Sequence, residues 1–264
     1  KHSYISGTSL DQLQAVKNFD DHLRSFLLRY ITQIEEECRT LTGYKFDEIN
    51  NNGEISWYST DAYSSDRTLQ EKMSVISKAY SELSKSQLDY VSFYMNNHKQ
   101  IPTWIMIKVI NFSTFINIIQ YSKKEVSHSL CQLYNLEDET GLPNVKLLIG
   151  SLHWMRRIRN SCAHNERVYC ITRKSEKGAR TGRIIEKYFS LLSPGYRRNK
   201  EQKIFDLIVY FKYYLPISEY KYFIQELKIM LVDLQSKIHP HAFEYVRGQI
   251  GIRNLSDLDT LLIL

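Results

Sequence analysis

The residues best suited to chemistry lie in one run, Arg159-Asn160-Ser161-Cys162-Ala163-His164-Asn165-Glu166-Arg167. On a helix, Asn160 and His164 are four apart and share a face, while Arg159 sits to one side on a stem long enough to close the gap. Cleaving RNA without a metal requires a base for the 2′-hydroxyl proton, an acid for the leaving 5′-oxygen and a cation for the phosphate. Histidine suits either proton transfer because its ordinary pKa, about 6.5, lies near working pH. Arginine stays charged and grips phosphate through a planar fork of donors. Asn160 suits orienting the imidazole or hydrogen-bonding the phosphate. A second reading of the same residues stays open: His164 as an interior histidine on a helix that also carries Leu147, Leu148, Leu152, Trp154, Met155 and Ile158, with Arg159 as its surface neighbour.

The run resembles the HEPN nuclease signature, an Arg, a polar residue, a short spacer and a His. It takes the form Arg-Asn-x-Cys-Ala-His-Asn carried by the Abi-like abortive-infection proteins called AbiD and AbiF. Ile34 to Arg39, Ile101-Pro102-Thr103-Trp104 and the apolar helix after Phe205 follow in the order expected of that family. The family's usual N-terminal lead-in is not recognisable, so a truncated or divergent member is expected. The resemblance implies a HEPN-like helical bundle with additional helices, forming a single domain over residues 1–264. It also implies a metal-independent endoribonuclease acting as a toxin-like effector in bacterial antiphage defence, restrained by a small noncoding RNA. Arg159, Asn160 and His164 would be catalytic, with no cofactor and no metal. Arg39, after Glu35, Glu36 and Glu37, and Asn165 would support them, although an exposed helical charge cluster accounts equally for Arg39. The rivals are a non-catalytic RNA-binding HEPN protein and a plain helical interaction protein.

One motif supplies one His and one Arg, whereas the reaction benefits from two proton-transfer groups. No other histidine follows an Arg at four-to-six-residue spacing. In HEPN nucleases the missing half commonly comes from a second protomer, and the two-fold dimer is the commonest closed assembly. A homodimer with a shared active site is expected.

The elements that must position the motif read as almost wholly helical, an all-α chain. A 3.6-residue apolar period from Leu10 to Ile34, after the cap candidate Ser9, predicts a long helix to about Thr40. Asn50-Asn51-Asn52-Gly53 breaks it. Further helices are predicted over about Arg67 to Asn96, from Pro102 as a first-turn residue, over Lys123 to Tyr134, and over about Asn144 to Tyr169 for the motif helix. Cys170 to Lys200 reads as an irregular basic loop or short hairpin, with Ile184 and Ile185 permitting a strand. Helices then follow over about Gln202 to Leu215, Ser218 to Ile238 and Leu255 to Leu264. His239 and His241 flank Pro240 without a Cys or carboxylate at ligand spacing, and read as loop residues.

Composition sets the outer limits. With 264 residues and 43% hydrophobic content the chain can build a sizeable core. The longest apolar run, Ile101 to Ile119, is interrupted by Lys108, Asn111, Ser113, Thr114 and Asn117, and predicts a buried helix rather than a membrane span. No signal peptide opens the chain, and Cys38, Cys131, Cys162 and Cys170 form no Cys-x-x-Cys pair, which fits a reducing cytoplasm. From Arg156 to Lys203 there are fourteen Lys and Arg against four Glu, a charge of +10; as the whole chain carries +6, the remainder is −4. That concentration would attract polyanionic RNA. Arg156, Arg157, Arg167, Arg173, Lys174, Lys177, Arg180 and Arg183 are the RNA-binding candidates.

Overall fold

The computed structural model describes residues 7–98, 100–138, 140–174, 191–192 and 201–263. The fold is all-α. The described residues form eleven helices: α1 Leu10–Ile49, α2 Leu69–Ser84, α3 Asp89–Asn97, α4 Thr103–Val109, α5 Phe112–Tyr121, α6 Lys124–Leu133, α7 Val145–Ala163, α8 Ile204–Tyr214, α9 Ile217–Lys237, α10 Pro240–Ile250 and α11 Ser256–Ile263. One short antiparallel pair, β1 Arg173–Lys174 and β2 Glu201–Gln202, aligns Arg173 with Gln202 and Lys174 with Glu201. Packing divides the chain into two compact units, Lys1–Thr32 with Arg157–Leu264, and Gln33–Arg156.

In the unit Gln33–Arg156, α1 runs past Thr40 to Ile49 before the asparagine run stops it. Asn51 and Asn52 take positive φ values of 54° and 53°, left-handed backbone that asparagine tolerates better than most residues. Asn50 is buried and ties the turn down: its side-chain amide donates to the carbonyls of Phe46 and Ala62, and its oxygen accepts from Lys123 Nζ at 2.7 Å. The single helix expected over Arg67 to Asn96 is two. Thr68 and Glu71 form a reciprocal capping box at the start of α2, whose buried stripe of Val75, Ile76, Ala79 and Leu83 ends before Lys85. The chain then extends through Leu88 before α3 begins.

The apolar run Ile101 to Ile119 also divides, into α4 and α5. Ile110 is extended, and Asn111 caps α5 by accepting from Thr114 N at 3.0 Å. Capping a new helix satisfies orphan N–H groups that a continuous helix would not have, so the local asparagine overrides the apolar pattern. Pro102 occupies the cap position just before α4 rather than its first turn. Among the described residues, no helix is long and apolar enough to cross a membrane.

In the other unit, residues 10–32 of α1 supply Phe26 and Tyr30, which pack on Phe223 of α9 at 4.8 and 5.1 Å between ring centroids. Phe211 of α8 completes the cluster, edge-on to Phe223 at 5.1 Å. Ser9 caps α1 through Gln12 N, as its position predicts. The expected loop around Pro240 is instead the start of α10: His239 is the cap, accepting from His241 N, and Pro240 is the first helical residue. Proline suits that position because it has no N–H to leave orphaned. Gly251 ends α10 at φ +98°, where a Cβ would come within 3.0 Å of Lys203 Cβ.

Candidate functional site

The site is built at the C-terminal end of α7. Leu148, Leu152, Met155, Ile158 and Cys162 recur at three- and four-residue steps and are buried. The helix is thereby rotated so that Arg157 is exposed, while Arg156, Arg159 and Asn160 are half-buried. Arg159 Nη1 donates to Asn160 Oδ1 at 3.2 Å, so two of the three candidate catalytic side chains meet directly.

His164 lies outside the helix that was expected to carry it. Helix α7 ends at Ala163, not near Tyr169. Asn165 turns left-handed at φ 55°; its N–H reaches the carbonyl of Cys162 at 3.2 Å, and the N–H of Glu166 reaches that of Ser161 at 2.9 Å. This doubly bonded stop satisfies carbonyls that the helix end would leave open, and asparagine is the usual substitute for glycine at its left-handed position. His164 is thus the last residue before the turn. Its N–H still bonds the carbonyl of Asn160 at 3.0 Å, and its side chain is exposed. The interior-histidine alternative does not describe this position.

The stretch beyond the turn is held by residues that sequence reasoning did not single out. Ser161 donates its hydroxyl to Glu166 Oε2 at 2.6 Å, bracing the turn from within. Asp20, buried on α1, accepts from the N–H groups of Val168 and Tyr169, each at 3.0 Å to Oδ1. Arg24 pairs with Asp20 at 2.9 Å and with Asp21 at 2.5 Å. In sequence Asp20 looks like an ordinary i,i+4 partner of Arg24, so nothing there marks its second role. Asn165 was a legible helix-stop signal. Burial pushes the Cys162 thiol up to about 12, with Arg24 opposing and Asp20 adding to the effect, which makes Cys162 a packing residue rather than a nucleophile.

The other candidates have neighbours of their own or fall outside the described residues. Arg167 is exposed, with its guanidinium 5.9 Å from the centre of the Tyr169 ring. Arg173 and Lys174 lie on β1, while Lys177, Arg180 and Arg183, like Ile184 and Ile185, fall outside the described residues. Arg39 belongs to the unit Gln33–Arg156. It is engaged there by buried Glu35 at 2.6 Å, by the carbonyl of Ile107 and by the Phe115 ring at 4.7 Å, whereas Glu36 and Glu37 are exposed. Among the described residues, no three His, Cys, Asp or Glu side chains gather as a metal site.

Residues 1–170, ending just past this turn, match the family described as Abi-like protein. The chain belongs to the Abi-like family. The match takes in α1 through α7 and the whole Arg159-to-Arg167 run, so the candidate site lies inside the Abi-like region while α8 to α11 follow it. No curated protein and no solved structure matches the chain.

Proposed function

We propose that this Abi-like chain is a metal-independent endoribonuclease of the HEPN type, acting as a toxin-like effector in abortive-infection defence against phage. The observation that carries the reading is the display of Arg159, Asn160 and His164 around one helix end, with the His164 side chain open to solvent and Arg159 steadied by Asn160. Family membership supports the defence role.

In the reaction, a base removes the 2′-hydroxyl proton, the 2′-oxygen attacks phosphorus, the bond from phosphorus to the 5′-oxygen breaks, and an acid protonates that oxygen. The products are a 2′,3′-cyclic phosphate and a 5′-hydroxyl. His164 performs one proton transfer, and Arg159 holds the phosphate as charge builds on it. His164 of a partner subunit supplies the other transfer in a homodimer. The basic segment beyond Arg156 holds the substrate or a small noncoding RNA that restrains the enzyme. The rival, RNA binding without cleavage, draws on the same exposed His164: among the described residues no side chain fixes its ring for proton transfer.

The test is purified protein with total RNA in EDTA, wild type beside His164→Ala and Arg159→Ala. Cleavage that survives the chelator, leaves cyclic-phosphate or 3′-phosphate ends and disappears in both variants is the expected result. Loss on chelation with rescue by magnesium would sink the mechanism, and RNA bound but uncut by the wild type would establish the rival.

A further inference from the structure

We propose that the outer face of α9 is a self-association seam, on which a second copy of this chain packs its own α9 in parallel about a two-fold axis. The proposal concerns the unit Lys1–Thr32 with Arg157–Leu264, and it does not depend on the protein binding or cutting RNA. One face of α9 belongs to the core: Phe223, Ile224, Leu227, Leu231 and Leu234 are buried, Phe223 among the rings of Phe26, Tyr30 and Phe211. The opposite face carries Tyr222, Ile229 and Val232, which stand 67%, 69% and 53% exposed. With Gln225 they advance by steps of three, four and three residues, the repeat by which two helices wind around each other. A free helix of this length is marginal because nucleation is costly, but α9 is already folded onto the core, so association need not supply that cost.

Exposed apolar side chains do not by themselves name their occupant; the residues that flank them do. Along one edge of the seam run Glu219, Glu226 and Asp233, and along the other Lys221 and Lys228, each series at seven-residue spacing. In a parallel pair of helices the two edges of opposite sign meet, because the residue just before one seam position faces the residue five places further on in the partner. Lys221 then faces Glu226 of the partner subunit, and Lys228 faces Asp233 of the partner subunit, each pair formed twice by the two-fold symmetry. In an antiparallel pair each edge meets its own copy, lysine against lysine and carboxylate against carboxylate, so the charges select the parallel arrangement. Within the chain Lys228 reaches Asp259 of α11 at 2.6 Å, and Asp233 reaches Lys237 at 2.7 Å. Both pairs are at the surface, where they are worth little and exchange readily. Lys221 and Glu226 are exposed and joined in no ion pair among the described residues, so they carry the selectivity. A face whose apolar steps and charges complement themselves fits a second copy of its own helix.

The experiment is sedimentation of the full chain without RNA over a range of concentrations, where a monomer–dimer equilibrium is expected. Ile229→Asp should abolish the dimer, and because position 229 is exposed the helical circular dichroism should not change. Lys221→Glu should weaken association about tenfold, since two attractive contacts become repulsive, and adding Glu226→Lys to it should restore the wild-type affinity. Orientation is read by disulfide formation. Ile229→Cys and, in a separate variant, Val232→Cys should each give a linked dimer under mild oxidation, above the level of the wild type with its half-exposed Cys170. An antiparallel pair brings only the position at its two-fold axis onto itself, so linkage at one of the two positions alone overturns the parallel seam. A chain that stays monomeric up to about 100 µM overturns the proposal. So does a dimer that withstands Ile229→Asp, or one that Lys221→Glu leaves unchanged. RNA is absent throughout, so a dimer that forms only around a shared RNA does not register, and failure of the seam leaves the proposed function standing.

Discussion

The carboxylate of Asp20 accepts the backbone N–H of Val168 at 3.0 Å, joining residues 148 apart in sequence. One carboxylate takes this N–H, that of Tyr169 and the guanidinium of Arg24, so the chain leaving the candidate site is held by a buried charge on α1. Replacing Asp20 with alanine leaves two buried N–H groups without their acceptor and Arg24 short of a partner. That should cost about 3–5 kcal/mol. Urea denaturation of Asp20→Ala measures the loss, and Asp20→Asn, which keeps one acceptor, should fall between it and the wild type.

Asn165 should show the opposite tolerance. Glycine enters the left-handed region freely, so Asn165→Gly is expected to be neutral or slightly stabilising. A β-branched residue there is strained by roughly 1–2 kcal/mol, and a lower thermal midpoint for Asn165→Val than for Asn165→Gly checks the assignment of the turn.

Burial raises the thiols of Cys38, Cys131 and Cys162 from 9.0 to about 12. Their protons are held more tightly in the folded chain than in the unfolded one. The stability linked to them is therefore intact below about pH 9 and is lost as pH climbs from 9 towards 12. The thiol contribution to the denaturation midpoint should be constant from neutral pH to that point and then decline, so a Cys131→Ala variant should lose less of its stability than the wild type between pH 9 and 12. Native alkylation at neutral pH should label Cys170, which is half-exposed, before the other three.

Charge reversal of Arg173, Lys174 and Lys177 to Glu should weaken RNA binding and flatten its dependence on salt. Each phosphate contact on a single strand contributes a slope of about −0.7. Unchanged affinity and slope in a mobility shift would show that this segment does not meet RNA.

If two protomers share one cleft, their like-charged motifs repel when it is empty, and bound RNA should strengthen the dimer. Light scattering with and without RNA reads this directly. A strict monomer that still cleaves would defeat the shared site.

Much of the architecture follows from local chemistry that the sequence displays. The 3.6-residue apolar period, Ser9 ahead of Leu10, the Asn50–Gly53 break and the proline before Ile217 are local signals; α6, α8 and α9 form where they are expected, while α1 starts after Ser9 as expected but runs past Thr40 to Ile49, as far as the asparagine break. Errors fall where a short polar signal competes with a longer pattern. Asn111 divides an apolar run that reads as one helix, and His239 with Pro240 starts a helix where a loop was expected. Asn165 ends α7 six residues before Tyr169, a limit that the apolar pattern by itself does not reveal.

For the site, the sequence by itself determined the identities and spacing of Arg159, Asn160 and His164, because motif chemistry is written in residue types. It also determined the concentration of positive charge that follows them. Only the tertiary structure decided that His164 stands beyond the helix end in solvent, that Arg39 is engaged by Glu35 and Ile107, and that Asp20 anchors Val168 and Tyr169. The reason is range. Helix periodicity and capping are settled within about one turn, whereas a buried carboxylate finds N–H groups 148 and 149 residues away only after the apolar faces around it have packed.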